Sequence, residues 1–371
     1  MLSRLVVLEV ASGAQMESQS GIQTKNPRVY ARWEEGSQRR DVVYIVAHPA
    51  NNFMGHYLLE PLRARGRSIL ALNTRYSGND TQLLMERAIQ DLGAGVRFLR
   101  EEGFKKVVLI GNSGGGSLAT FYQQQAEKLT VTQTPDGRPI DLRPDDFPSV
   151  DAIALMCAHP GRARTLTDML DPAVIDEADP VRSDPELDMF DSARKAPFDR
   201  DWLKHYRASQ EARNRRLSHY AVARLRQLAA SGGPITDEPL CIHRTMADPR
   251  NLDLTLDTND RKTGSIWGDA RAINYGANGV ARYSTLRSFL SQWSLDYSKA
   301  DGPRCLADTT VPVLNMDYTA DQIVFPSQIA EWSSAAKGGV SEVRIEGAEH
   351  YPQDDATMVG KIADILVEWG G

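Results

Sequence analysis

The chain has 371 residues, 41% of them hydrophobic, with 43 Lys and Arg against 49 Asp and Glu and a formal net charge of −6. That length and composition suit a soluble globular protein able to bury a sizeable core, as one large domain or a core plus an insertion. Without a sustained basic tract, nucleic acid and an anionic membrane are excluded as expected partners. Cys157, Cys241 and Cys305 are odd in number and widely spaced, so they predict neither a disulfide framework nor a metal knuckle. A reducing, cytoplasmic location fits that usage.

In chain order, residues 1–15 hold one short apolar run that Glu9 interrupts, which predicts an edge strand rather than an export signal. No apolar run approaches the roughly 20 residues that a spanning helix requires. Leu5 to Val10 and Arg28 to Trp33 read as paired early strands joined by a polar connection. Asp41 to Ala47 and Ser68 to Leu72 are continuous apolar strands, with a helical segment around His56 to Arg65 between them. Helical periodicity covers Thr81 to Glu102, followed by the strand Val107 to Ile110, a helix after Ser113 and the strand Ala152 to Ala158. After a long interruption come the strand Val311 to Met316, a helix around Ser327 to Ala336, the strand Glu342 to Ile345 and a helix from Asp354 to about Trp369. Continuous apolar strands alternating with helices predict a mostly parallel, doubly wound α/β sheet covered on both faces.

Ligands of such sheets bind beyond the carboxyl ends of the strands. One of those ends carries Gly111-Asn112-Ser113-Gly114-Gly115, a glycine-rich strand-to-helix turn with a serine at its apex. Such a turn exposes the hydroxyl and supplies helix N-terminal N–H groups to a developing oxyanion. Two later strand ends carry an acid, Asp321 in NMDYTADQIVFP, and a histidine, His350 in IEGAEHYPQ. Asp317, four residues earlier in the first of these loops, competes with Asp321 for the acid role.

With these residues the chain resembles the α/β-hydrolase superfamily, in which serine, acid and histidine follow one another in this order. VAHPANN (46–52) resembles that family's oxyanion loop, and NTRYSGND (73–80) its loop after the next strand. The Asp-x-Ile-Val-x-Pro context favours Asp321 over Asp317. The resemblance implies that Ser113 is the nucleophile, His350 the base and Asp321 the group that orients it. It extends over residues 41–160 and 305–371, which divides the chain into a first core part (1–160), a largely helical cap insertion (161–302) and a second core part (303–371).

His48-Pro49 stands where relatives often have His-Gly, and proline lacks an N–H donor. The oxyanion donors are therefore expected at Gly114 and Ala50, with Asn51 as the alternative to Ala50; His48 is read as holding the loop. His159 ends another strand and is expected to line the pocket or pack beside it. Asn51, Trp202 and Trp267 are the remaining candidate substrate-binding residues. Nine carboxylates and one arginine lie between Asp168 and Asp191, without the ligand register or central glycine of a calcium loop. They are expected to face the basic helix predicted for Arg200 to Ala230.

The expected activity is hydrolysis of a carboxylic ester of a small, moderately apolar molecule, in preference to an amide or thioester, with no cofactor and no metal. The alternatives are a carbon–carbon bond hydrolase or lyase on the same scaffold, and a non-catalytic ligand-binding protein that keeps the fold. A haloalkane dehalogenase would need a carboxylate where Ser113 stands. A small-molecule substrate is the expected partner, and formation of a homo-oligomer stays open.

Overall fold

In the computed structural model, which describes residues 3–10, 16–18, 21–23, 28–37 and 41–371, Ser3–Glu9 (β1) forms the edge of an eight-stranded sheet, antiparallel to Arg28–Glu34 (β2). The polar connection between them is described only as a short hairpin, Met16–Ser18 against Gly21–Gln23, and otherwise lies outside the described residues. The sheet continues with Val42–His48 (β3), Ser68–Asn73 (β4), Lys106–Asn112 (β5), Ala152–Met156 (β6), Val313–Tyr318 (β7) and Val340–Ile345 (β8), in the spatial order β1-β2-β4-β3-β5-β6-β7-β8. From β4 to β8 every neighbouring pair is parallel.

The reason is visible in β3, where all seven residues are buried. Val43, Ile45 and Ala47 enter one hydrophobic cluster with residues of Met85–Glu101 (α2) and Gly115–Glu127 (α3). Val42, Tyr44 and Val46 enter the opposite cluster with Leu59 and Leu62 of Leu59–Ala64 (α1) and with Ile362, Ala363 and Leu366 of the helix Ala356–Gly370. A strand that is apolar on both faces can bury each side chain, at about 1.5–3 kcal/mol apiece, only between two helical layers. Tyr44 is polar at its tip, and its hydroxyl donates to the Leu366 carbonyl at 2.8 Å.

Element boundaries depart from the sequence reading where turn chemistry intervenes. α2 starts at Met85 rather than Thr81, because Leu84 is extended (φ −115°, ψ 120°) and residues 80–84 form the approach to the helix. β7 starts at Val313 rather than Val311, just after Pro312, which cannot donate to a ladder.

Between β6 and β7 lie Arg162–Met169 (α4), the long helix Arg200–Ser231 (α5) and several shorter pieces. Leu217, Ala221, Leu225 and Leu228 of α5 pack with Leu166, Phe289 and Leu290 in a cluster separate from those of the sheet. The acidic tract meets arginines: Asp168 pairs with Arg250 at 2.6 Å, Asp171 with Arg244 at 2.7 Å, and Glu177 with Arg213 of α5 at 2.7 Å. The compensating charge thus comes from residues 244–250 as well as from the basic helix. Among the described residues, no helix is long and apolar enough to cross a membrane.

Candidate active site

The turn after β5 brings its serine to the head of α3 under strain. Ser113 has φ 55°, a left-handed conformation that costs a non-glycine residue roughly 1–3 kcal/mol and persists only where the surroundings enforce it. The enforcement is traceable. The Ser113 N–H donates to the Met156 carbonyl at 3.2 Å, and the side-chain amide of Asn112 donates to the same carbonyl at 3.1 Å. Asn112 Oδ1 in turn meets Nε2 of the buried His56 at 2.9 Å. A Cβ on Gly111 would come within 2.7 Å of the Gly116 Cα, so only glycine permits this reversal.

Around the serine, two further loops converge. His350 Nε2 lies 2.8 Å from Ser113 Oγ, and His350 Nδ1 lies 2.6 Å from Asp321 Oδ2. The other oxygen of Asp321 accepts the N–H groups of Ile323 at 2.8 Å and Val324 at 3.0 Å, which fixes the carboxylate. All three side chains are buried. The loops are stitched together: Thr319 N–H donates to Ile345 O, Ala320 N–H to Ala348 O, and Gly347 N–H to Thr319 Oγ1. Asp317, the competing acid, is a residue of β7 whose nearest cation is Arg344 at 3.8 Å.

The expectation for the second oxyanion donor needs correction. Both the Ala50 N–H, at 3.1 Å, and the Asn51 N–H, at 2.8 Å, donate to His48 Nδ1, so each already has an acceptor. Burial, reinforced by Arg162, His159 and His350, holds the His48 pKa well below its ordinary value. The neutral ring, its Nδ1 accepting, carries its proton on Nε2. That nitrogen stands 2.6 Å from where a Cβ on residue 114 would sit, and His159 Nε2 stands 3.1 Å from the same point. Gly114 is therefore a steric requirement of two histidines packed against the turn. Burial also lowers His159, to about 3.

These groups open onto a cavity of about 330 Å³, whose wall includes His48, Ala50, Asn51, Ser113 and His159. Of the two candidate tryptophans, Trp267 lines it and Trp202 does not. Trp202 packs against Phe198 and Tyr206 in a cluster of the 161–302 segment, and its Nε1–H donates to the Glu186 carbonyl at 2.8 Å. The helical register that placed it at the start of α5 could not reveal which way α5 presents it. The wall is also more polar than the moderately apolar substrate expected would call for, because Asp80, Arg162 and Arg282 take part in it.

Tyr351 was not anticipated. It lines the cavity, its ring meets His350 edge-on at 4.5 Å between centroids, and burial pushes its hydroxyl up to about 12 against the opposing pull of Ser113 and Asn51. Its place beside His350 in GAEHYP was the available signal. Among the described residues, one trio of side chains could share an ion, Cys157 with Asp321 and His350. Burial pushes the Cys157 thiol well above its ordinary range, and its Sγ donates to the His350 carbonyl at 3.3 Å. A protonated thiol supporting the loop suits the hydrogen-bonded series better than a thiolate ligand does.

No protein-family model matches the chain, and no curated protein matches it in sequence. Solved structures do match along its whole length. DcsB, in complex with its substrate analogue, aligns over 99% of this chain and 98% of its own with 12% identity and a TM-score of 0.54. The esterase domain of a Rhodothermus marinus protein aligns over 100% and 98% with 14% identity and a TM-score of 0.47. An alpha/beta fold family hydrolase from Bacillus anthracis str. Sterne aligns over 99% and 99% with 12% identity and a TM-score of 0.44. The chain has the fold of the α/β-hydrolase superfamily. At these identities the likeness concerns the fold, and the chemistry of this α/β-hydrolase-fold protein has to be argued from its own residues.

Proposed function

We propose that the protein is a serine hydrolase that cleaves a carboxylic ester through an acyl-enzyme on Ser113. The observation that carries this reading is the hydrogen-bonded series Ser113 Oγ, His350, Asp321, seated on a strained turn at a helix head and open to a cavity. Ser113 Oγ attacks the ester carbonyl while its proton passes to His350 Nε2. Asp321 keeps the other ring nitrogen protonated and stabilises the imidazolium that forms. As the tetrahedral intermediate collapses, the carbon–oxygen bond to the alcohol breaks and His350 returns the proton to the departing oxygen. Water then repeats the sequence on the acyl-enzyme, giving the acid and regenerating the serine. Every role in this acyl transfer has a candidate residue, so the reading calls for neither a metal nor a cofactor.

The intermediate's oxyanion is held in this reading by the Gly114 N–H, one of the first-turn donors of α3 that lack an intrahelical acceptor, and by His48 Nε2–H. Residues 161–302 act as a cap over the site, with Trp267 facing the substrate. A fluorophosphonate is expected to label Ser113 and no other residue, and 4-nitrophenyl esters are expected to show an acylation burst. Folded protein that is not labelled, or is labelled elsewhere, ends the reading.

Two substitutions separate the roles of His48. Asn can offer its carbonyl oxygen where Nδ1 stood but has nothing at Nε2, so His48→Asn is expected to keep the melting temperature while kcat falls about 10²- to 10³-fold, the effect of losing one oxyanion donor. Gln can reach the Nε2 position but leaves the Ala50 and Asn51 N–H groups unmet, so His48→Gln is expected to lose stability and keep more of kcat. Turnover by His48→Asn within about threefold of wild type would move the donor elsewhere.

A further inference from the structure

Five buried polar atoms without a hydrogen-bond partner belong to side chains that line the Ser113 cavity: His159 Nδ1, Arg162 Nε, Thr165 Oγ1, Arg282 Nε and Trp293 Nε1. Each of these side chains is more than nine-tenths buried. Buried polar groups are ordinarily satisfied, and unmet donors of a buried cation are the most costly exceptions. So many exceptions among the side chains of one cavity wall mark it as unusually polar.

The character of the wall narrows the ligand. Arg162 and Thr165 stand three residues apart on α4 and so share a face. The Arg162 guanidinium lies over the Trp293 ring at 4.0 Å and pairs through Nη2 with Asp80. Arg282 donates from Nη2 to the carbonyls of Ile273 at 3.0 Å and Asn274 at 2.8 Å. Among the described residues it has no carboxylate within ion-pair distance. His48 and His159 are neutral, because burial lowers both. Two guanidinium groups against one carboxylate leave the wall with one positive charge in excess, and its unmet groups are mainly donors. A singly charged oxyanion answers both features. The cavity volume of about 330 Å³ is at the lower end for ligand sites, which limits the substrate to a short molecule.

We infer that the substrate is a short ester bearing a carboxylate a few bonds from the scissile carbonyl, and that the guanidinium groups on the cavity wall, those of Arg162 and Arg282, supply the charge that holds that carboxylate. The inference rests on the ester-hydrolase reading and adds the class of substrate. Arg162 is near enough to His48 and His159 to depress the pKa values of both, and both rings abut Gly114, so the bound anion lies close to the reacting carbon. Arginine suits this task because its planar fork matches a carboxylate's two oxygens.

The test compares charged and neutral esters of matched length by proton release. Monomethyl glutarate against methyl pentanoate places the carboxylate on the acyl side; 3-acetoxypropanoate against propyl acetate places it on the alcohol side. On one of the two arms kcat/KM is expected to favour the charged ester by at least about tenfold, as a site built for a polar group discriminates against analogues that lack it. Arg282→Gln is expected to reduce that ratio about tenfold or more, mainly through KM, with Ser113 labelling by a fluorophosphonate reporting an intact site. Free glutarate is expected to inhibit wild-type hydrolysis of the neutral ester competitively, and to bind Ser113→Ala protein in calorimetry. No preference on either arm together with no glutarate binding overturns the inference. If Ser113 is never labelled but glutarate binds, the hydrolase reading fails and the anion site stands.

Discussion

Ser113→Ala is expected to lower kcat for any accepted ester on the order of 10⁴- to 10⁶-fold while the protein stays folded, the effect of removing a covalent nucleophile whose partners act only through it. Alanine removes one hydroxyl from a buried position whose backbone hydrogen bond, from the Ser113 N–H to Met156 O at 3.2 Å, is unaffected. The left-handed φ of 55° remains, so the melting temperature is expected to change little. Ser113→Gly gives the control. Glycine adopts that φ at no steric cost, whereas a side chain there costs roughly 1–2 kcal/mol. The glycine variant is therefore expected to be equally inactive yet to melt higher than the alanine variant. Retention of more than about a tenth of wild-type kcat by either protein is incompatible with an acyl-enzyme on this residue.

The sheet and the three converging loops were legible because they rest on local signals. Val42–His48 is apolar at every position but its last, which only a strand sandwiched between helices tolerates, and both faces are indeed covered. Gly111 and Gly114 announce a backbone reversal where no side chain fits, and the clash distances of 2.7 Å and 2.6 Å explain why. Asp321 was distinguishable from Asp317 by its Asp-x-Ile-Val-x-Pro context, and the structure adds that Asp317 lies within β7 while Asp321 lies beyond it.

Less legible were properties set by long-range packing. Whether an N–H near Pro49 is available depends on where the His48 ring folds back, and the ring takes both candidates. Trp202 and Trp267 look alike in sequence; one packs within residues 161–302 and the other reaches the cavity. Arg162 stood in plain view in Cys157-Ala158-His159-Pro160-Gly161-Arg162, but the spacing does not reveal that a residue from the far end of the insert, Trp293, will lie beneath its guanidinium. A polar wall assembled from residues over 120 positions apart has no local sequence signature.

Asp321→Asn and Asp317→Asn are expected to separate by orders of magnitude, for a reason that lies in proton placement rather than charge alone. In the native site Asp321 Oδ1 accepts two backbone N–H groups and Oδ2 faces His350 Nδ1. An asparagine keeps its carbonyl oxygen toward those two N–H groups and turns its amide toward the ring. His350 Nδ1 must then accept, the ring proton moves to Nε2, and that nitrogen can no longer take the proton of Ser113, 2.8 Å away. The wrong tautomer and the lost imidazolium stabilisation lower kcat about 10²- to 10⁴-fold in such triads. Asp317 pairs with Arg344 at 3.8 Å, and burial already raises its pKa. Its replacement by asparagine removes a partly exposed pair of at most about 1 kcal/mol, so a small change in melting temperature with kcat nearly unchanged is expected. Steady-state kinetics on both purified, folded variants decide the matter: a larger loss of kcat in Asp317→Asn than in Asp321→Asn would place the orienting acid on β7 and break the series through which Ser113 is activated.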